Sequence, residues 1–271
     1  MDESTSVKEE RKLVKVVIAI PNEGMTVPAA YDNRMLQMIH MGGFAQRSQY
    51  APVTKDGAIF EFYHFTAGRM LTPAARETLV DHALESNMDY IFMIDDDMIC
   101  PRDMFERLYE NDVDIVAPLA FTRNPPHYAV IYSLDSGFDP VSKKDWFRNH
   151  FARNYPKNEL VRCDAVGFGA VLIKMDVIKK MRRPYFMSTC GTGEDILFCY
   201  NAQQQANAKV YMDTRIKLGH LGAQIVIDEV YAENYWNTVE KKDIAKTYTR
   251  FRKIDERTLP ETTERLCEIK G

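Results

Sequence analysis

Apolar positions along the chain fall into short continuous runs separated by stretches with helical spacing. VKVVIAI (14–20) is rich in β-branched residues and has the pattern of a strand buried on both faces. Pro21-Asn22-Glu23-Gly24 ends it as a loop of turn formers. A helix is expected next, with Tyr31, Met35, Met38 and Ile39 on one face and Gly42-Gly43 at its end. AIFEFYHF (58–65) reads as an aromatic strand. Thr72-Pro73 opens a helix as cap and first-turn proline, and Ala75, Leu79, Ala83 and Leu84 form its buried stripe. YIFMI (90–94) is the next strand, a helix follows around 102–110, and DIVAPLAF (114–121) is again a buried strand. This alternation predicts an α/β fold with a mixed, mostly parallel central sheet flanked by helices.

The pattern changes beyond residue 121. Residues 136–158 mix Gly, Pro, aromatic and basic positions and read as an irregular loop or flap. Strands are expected at 161–166, 169–173 and 209–212, and helices at about 176–182 and 194–206. The last forty residues have the pattern of a helical tail. The organisation predicted is a charged leader (1–12), one domain (13–222) and a helical C-terminal extension (223–271).

Composition narrows the class. A chain of 271 residues, 45% hydrophobic and 27% charged, can bury a core without disulfides or a structural metal. A net charge of −4 gives no global drive toward nucleic acid or an acidic membrane. The five cysteines are scattered and form no C-x-x-C pair, so neither a disulfide framework nor a zinc knuckle is indicated. The polar start lacks the apolar run of a signal peptide, and no apolar stretch reaches membrane-spanning length. The expected setting is therefore the cytoplasm.

Four short motifs carry candidate chemistry. In IDDDM (94–98), strand alternation would point Asp95 and Asp97 to one side at the carboxyl edge of the sheet, where open α/β sheets bind ligands. Carboxylates gathered there call for a compensating cation, and hard divalent ions take such oxygen ligands. An acidic turn ahead of Pro101 is the plainer alternative. GTGEDILF (191–198) sets Glu194 and Asp195 at a helix start, as favourable dipole partners or as a positioned base. GHLG (219–222) holds His220 between glycines, either a metal ligand or an ordinary surface or core histidine. VGFG (166–169) allows close backbone approach, to a ligand or at a bulge.

Taken in order, the strand–PNEG junction, an arginine-bearing helix before DYIFMIDDDM, VGFGAVLIKMDVI, GEDILFC and a late His-x-Gly resemble the GT-A glycosyltransferases, especially family 2-like members. The resemblance covers roughly residues 14–222. It implies a Rossmann-like GT-A domain with a nucleotide-binding half (13–121) and an acceptor and catalytic half (122–222). It also implies a metal-dependent, nucleotide-sugar-using hexosyltransferase that inverts the sugar with a carboxylate base. Pro21, Asn22 and Glu23 would contact the donor nucleoside, and Arg76 would lie near the nucleotide. Asp95 would face the ribose with Asp96 in reserve, and Asp97 and His220, with Asp95, would hold Mn2+ or Mg2+. Gly167, Phe168 and Gly169 would flank the donor sugar. Asp195 matches the base, and Glu194 is its rival. The implied donor is a nucleoside-diphosphate sugar, UDP-linked first, and the hydroxyl acceptor is open between nucleic acid and glycan.

The resemblance is imperfect. Three consecutive aspartates leave the metal pair ambiguous, and Asn207 stands where a glycine is often found, although asparagine tolerates the same left-handed backbone. Residues 136–158 match no family motif, and Trp146 there is the candidate for acceptor handling. KKDWFRNHFARNYPK (143–157) interleaves basic and aromatic residues, which could bind single-stranded nucleic acid or be a helix with a solvated basic face. A nucleic-acid-modifying glycosyltransferase or a nucleic-acid binder is thus the alternative class. A nucleotidyltransferase fits less well, since a glycine- and arginine-rich loop would be expected where PNEG stands.

Overall fold

The β-branched run at 14–20 forms the middle of β1 (Leu13–Asn22), and both its faces are covered. Val17 and Ala19 join one apolar cluster, while Val14, Val16, Ile18 and Ile20 join a second. A strand of this kind belongs inside a sheet with helices on both sides. β2 (Ile59–Gly68) and β3 (Tyr90–Ile94) flank it in parallel. This computed structural model describes residues 12–22, 57–139, 144–152, 154–189, 192–222 and 226–240, with the pairs 248–249 and 269–270. The predicted leader (but for Lys12), the helix expected around Tyr31–Gly43, and Glu23 lie outside the described residues.

Seven strands make the main sheet, in the order β2-β1-β3-β10-β5-β11-β8. The later members are β5 (Ile115–Leu119), β8 (Leu160–Cys163), β10 (Ala170–Lys174) and β11 (Val210–Lys217). β10 runs against both neighbours and β8 against β11, so five strands share one direction and their carboxyl ends share one edge. The fold is the mixed, mostly parallel α/β sheet with flanking helices that the alternation predicts.

α1 (Thr72–Glu85), α3 (Met175–Ile178) and α4 (Glu194–Ala206) cover one face through Leu79, Val80, Ile178, Ile196, Phe198 and Ala202. α2 (Met104–Tyr109) covers the other, where Phe105 meets Phe60 and Phe62 edge-on at 5.0 Å each. Thr72 is the first helical residue of α1 rather than its cap, a position taken by Leu71. No described helix is long and apolar enough to cross a membrane.

Two expectations are corrected. The described residues 136–139 and 144–152 are neither an irregular flap nor a basic helix. β6 (Ala129–Asp139) and β7 (Lys144–Ala152) form an antiparallel ribbon, paired from Asp139↔Lys144 down to Tyr132↔Phe151, and β9 (Ala165–Val166) pairs with the other edge of β6. Cross-strand pairing, not the local pattern, decides the conformation of such a segment. The strand expected at 161–166 therefore splits at Asp164, whose carboxylate accepts the Leu134 N–H at 2.8 Å. Of the expected helical extension (223–271), only 226–240, 248–249 and 269–270 are described, and these hold strand pairs as well as helix. β13 (Val226–Ile227) precedes α5 (Glu229–Tyr235) and a π-helical turn (Trp236–Glu240), while β14 (Tyr248–Thr249) pairs with β15 (Ile269–Lys270).

Candidate active site

At the carboxyl edge β3 stops at Ile94, and the three aspartates after it form a tight turn in which the Asp95 carbonyl accepts the Met98 N–H at 3.3 Å. Strand alternation consequently does not orient them. Their partners do, and the carboxylates splay toward two different cations. All three line an open cleft together with Pro21, Met70, Thr72, Ala75 and Arg123.

Asp95 faces Arg76, which α1 presents with only 3% of its side chain exposed. The guanidinium donates through Nη2 to Asp95 Oδ1 at 2.8 Å and to the Phe168 carbonyl at 3.2 Å, and through Nη1 to Glu194 Oε1. One buried arginine thus joins the triple-aspartate turn to the acidic start of α4. Burial holds Asp95 above its ordinary carboxyl range despite the Arg76 cation. The buried Arg76 depends on its acidic partners, because a guanidinium out of water is costly without them.

Asp195 follows Glu194 but does not share its ion pair. Its Oδ1 accepts the neighbouring Ile196 N–H at 2.8 Å. A carboxylate at a helix start is expected to be held ionised by the dipole and free N–H groups. Here burial wins, aided by the charges of Glu194 and Asp95, and the carboxyl is pushed up to about 6 in spite of Arg76 and the Ile196 N–H. Tyr132 on β6 lies close enough to feel the charge of Asp195.

Asp97 and His220 are brought together by a small sheet, β4 (Met98–Ile99), β12 (Gly219–Leu221) and β13, in which His220 stands opposite Met98 and the Leu221 N–H donates to the Asp97 carbonyl at 2.9 Å. His220 Nε2 lies 3.1 Å from Asp97 Oδ2, and its Nδ1 donates to the Phe121 carbonyl at 2.8 Å. Arg123 Nη2 donates to the same Asp97 oxygen. Burial pushes Asp97 up, but His220 and Arg123 more than offset it, and the carboxyl ends below its ordinary value. Burial would lower His220, yet the Asp97 hydrogen bond and charge, with the Phe121 carbonyl, raise it.

The pair is suited to an oxophilic divalent ion. A backbone carbonyl holding Nδ1–H leaves Nε2 as the metal-facing nitrogen, the usual outer support of a ligating histidine. Among the described residues no group of three His, Cys, Asp or Glu side chains gathers as a metal cluster. Two protein ligands accord with ions such as Mg2+, which keep waters and take substrate phosphates.

Other predicted residues are placed as follows. Pro21 lines the cleft, whereas Asn22 contributes backbone pairing opposite Gly68. Gly169 accepts the Asp95 N–H at 2.8 Å through its carbonyl. A Cβ on Gly167 would stand 2.7 Å from the Val130 Cβ, so its smallness serves strand packing. The Phe168 ring is core, 1% exposed and edge-on to Phe198 at 5.3 Å, and it meets the site through its carbonyl and through the Arg76 guanidinium, which lies over the ring at 5.5 Å. Trp146 pairs opposite Gly137 in the ribbon, and its side chain lies outside the description. Met70 and Arg123 line the cleft without having been singled out from sequence, and Thr72 and Ala75, read there only as helix cap and buried stripe, line it too. Arg123 follows a strand end in FTRNPP, and no motif marks it.

No known protein-family profile matches the sequence, and no curated protein matches it. Among solved structures, A197 from STIV superposes with a TM-score of 0.48 at 17% identity, over 80% of this chain and 92% of that one. GalNAc-T7 with UDP, GalNAc and Mn2+ gives a TM-score of 0.39 at 11% identity, over 78% of this chain but 43% of its own length. The catalytic domain of Drosophila β1,4-galactosyltransferase 7 with xylobiose gives 0.39 at 16% identity, over 88% and 85%.

Proposed function

We propose that the protein is a metal-dependent glycosyltransferase that moves a sugar from a nucleoside diphosphate, UDP first, to an acceptor hydroxyl with inversion. The observation that carries this reading is a cleft lined by Asp95, Asp96 and Asp97, with Asp97 paired to His220 and Asp95 tied through Arg76 to Glu194 at the start of α4. In this reading Asp97 and His220 hold the divalent ion. Bound there, the ion supplies Lewis-acid stabilisation of the negative charge on the leaving diphosphate. Pro21 and Thr72 form a wall for the nucleoside, and Arg76 keeps Asp95 turned toward the ribose.

Asp195 is the general base. As the acceptor oxygen bonds to the anomeric carbon, its proton passes to Asp195 and the carbon–phosphate oxygen bond breaks, releasing the nucleoside diphosphate. A base is most effective with a pKa near working pH, and a carboxyl pushed up to about 6 meets that condition. Glu194 is committed to Arg76 and serves as a positioning residue.

The test is transfer and hydrolysis of UDP-sugars by the wild type and Asp195→Asn, assayed with Mn2+. A positioned base contributes roughly 10²–10⁴ to turnover, so the variant should bind UDP normally and lose transfer on that scale. Wild-type transfer rates in Asp195→Asn would refute the assignment.

A further inference from the structure

The loop carrying Arg123 is tied at its base. Phe121 is 1% exposed and packs against Trp236 at 6.0 Å, while the Thr122 N–H donates to the Tyr128 carbonyl at 2.9 Å and the Thr122 hydroxyl accepts the Tyr128 N–H at 3.0 Å. The backbone that launches Arg123 is therefore fixed. Its side chain is not, with 54% of it exposed beside the cleft. The guanidinium sits on Asp97 Oδ2, and its Nε lies 3.5 Å from His220 Nε2.

That position has a consequence for any cation held by Asp97 and His220. A guanidinium and a divalent ion repel each other and so compete for the same carboxylate oxygen. Three carboxylates line the cleft, and Asp97 is faced by both His220 and Arg123, of which the exposed Arg123 side chain can leave without backbone movement. Once displaced, the guanidinium remains at the cleft with its fork of donors, a geometry suited to phosphate oxygens.

We infer that Arg123 is an exchangeable counter-ion, capping Asp97 until a divalent cation takes that oxygen and then pairing with the diphosphate that arrives with the cation. The inference rests on the proposed function and specifies how its site loads. A merely structural surface ion pair would not couple the two ligands.

Calorimetric titration of Mn2+ into the nucleotide-free protein, and of UDP at saturating Mn2+, tests it with wild type, Arg123→Gln and Arg123→Lys. A charge-assisted hydrogen bond is worth enough to move binding roughly tenfold. Arg123→Gln should accordingly bind Mn2+ about tenfold more tightly and UDP about tenfold more weakly. Arg123→Lys, which keeps the charge without the fork, should fall between wild type and Arg123→Gln for UDP. Unchanged or weaker Mn2+ binding in Arg123→Gln overturns the exchange, and unchanged or tighter UDP binding overturns the role toward diphosphate. If the wild type binds neither Mn2+ nor UDP, the proposed function fails and takes this inference with it.

Discussion

Arg76 is the side chain on which the two acidic motifs meet. It has two carboxylates and a backbone carbonyl as partners, and its Nε has no hydrogen-bond partner among the described residues. Removing one member of a buried ion pair strands the others, at about 3–5 kcal/mol. Arg76→Met should lose that much in urea denaturation, and Arg76→Lys should recover only part, since an ammonium cannot fork to both acids. A loss below about 1 kcal/mol would mean that Asp95 and Glu194 are solvated rather than held.

Asp195 adds a pH signature. Its carboxyl rises from an ordinary 3.8 to about 6 on folding, so the folded chain keeps a proton that the unfolded chain has already released. The associated stability is complete below about pH 4 and is lost as pH climbs through about 6. Asp195→Asn should therefore melt higher than wild type at pH 7.5 and show no such gain at pH 4. The transfer rate of the wild type should climb with pH through about 6 as the base ionises. Equal melting differences at both pH values would contradict the raised carboxyl. Asp95, Asp97, Arg76, Glu194, Asp195 and His220 could all be picked out from motif order. Asp195's elevated pKa could not, because helix-start chemistry pointed the other way and only burial in the fold reverses it. Arg123 carried no signal at all, being an exposed loop residue whose partner stands 26 positions away.

The elements that set the site are two short pairings. β4 against β12 aligns Asp97 with His220, and α5 with its π-helical turn braces the loop that bears Arg123. Trp236 is 2% exposed, donates to the Pro126 carbonyl at 2.6 Å and packs on Phe121, the residue whose carbonyl holds His220. Replacing a buried Trp by Ala typically removes ~3–5 kcal/mol. Trp236→Ala should lose stability on that scale in chemical denaturation and also weaken Mn2+ binding through the loosened Phe121–His220 contact. Retained Mn2+ affinity would separate α5 from the site. The parallel strands were readable because burial on both faces writes continuous apolar runs. The β6–β7 ribbon was not, since its stability lies in pairing between segments that a local window reads separately. Asn207 ends α4 in the left-handed conformation at φ 51°, as asparagine permits.

Across the whole molecule, five strands deliver their carboxyl ends to one edge, and the charged groups of the candidate site collect there. The core lies on both faces of the sheet and leaves that edge to chemistry, the usual placement of ligands in open α/β sheets. The proposed function requires that nucleotide and metal bind together through Asp97. The decisive measurement is calorimetric titration of UDP into wild type and Asp97→Asn, each with Mn2+ and with EDTA. The proposed site predicts UDP binding by the wild type in Mn2+, and at least a tenfold loss both in EDTA and in Asp97→Asn, with the variant's thermal stability near that of the wild type. UDP affinity unchanged by EDTA, or retained in Asp97→Asn, would contradict it.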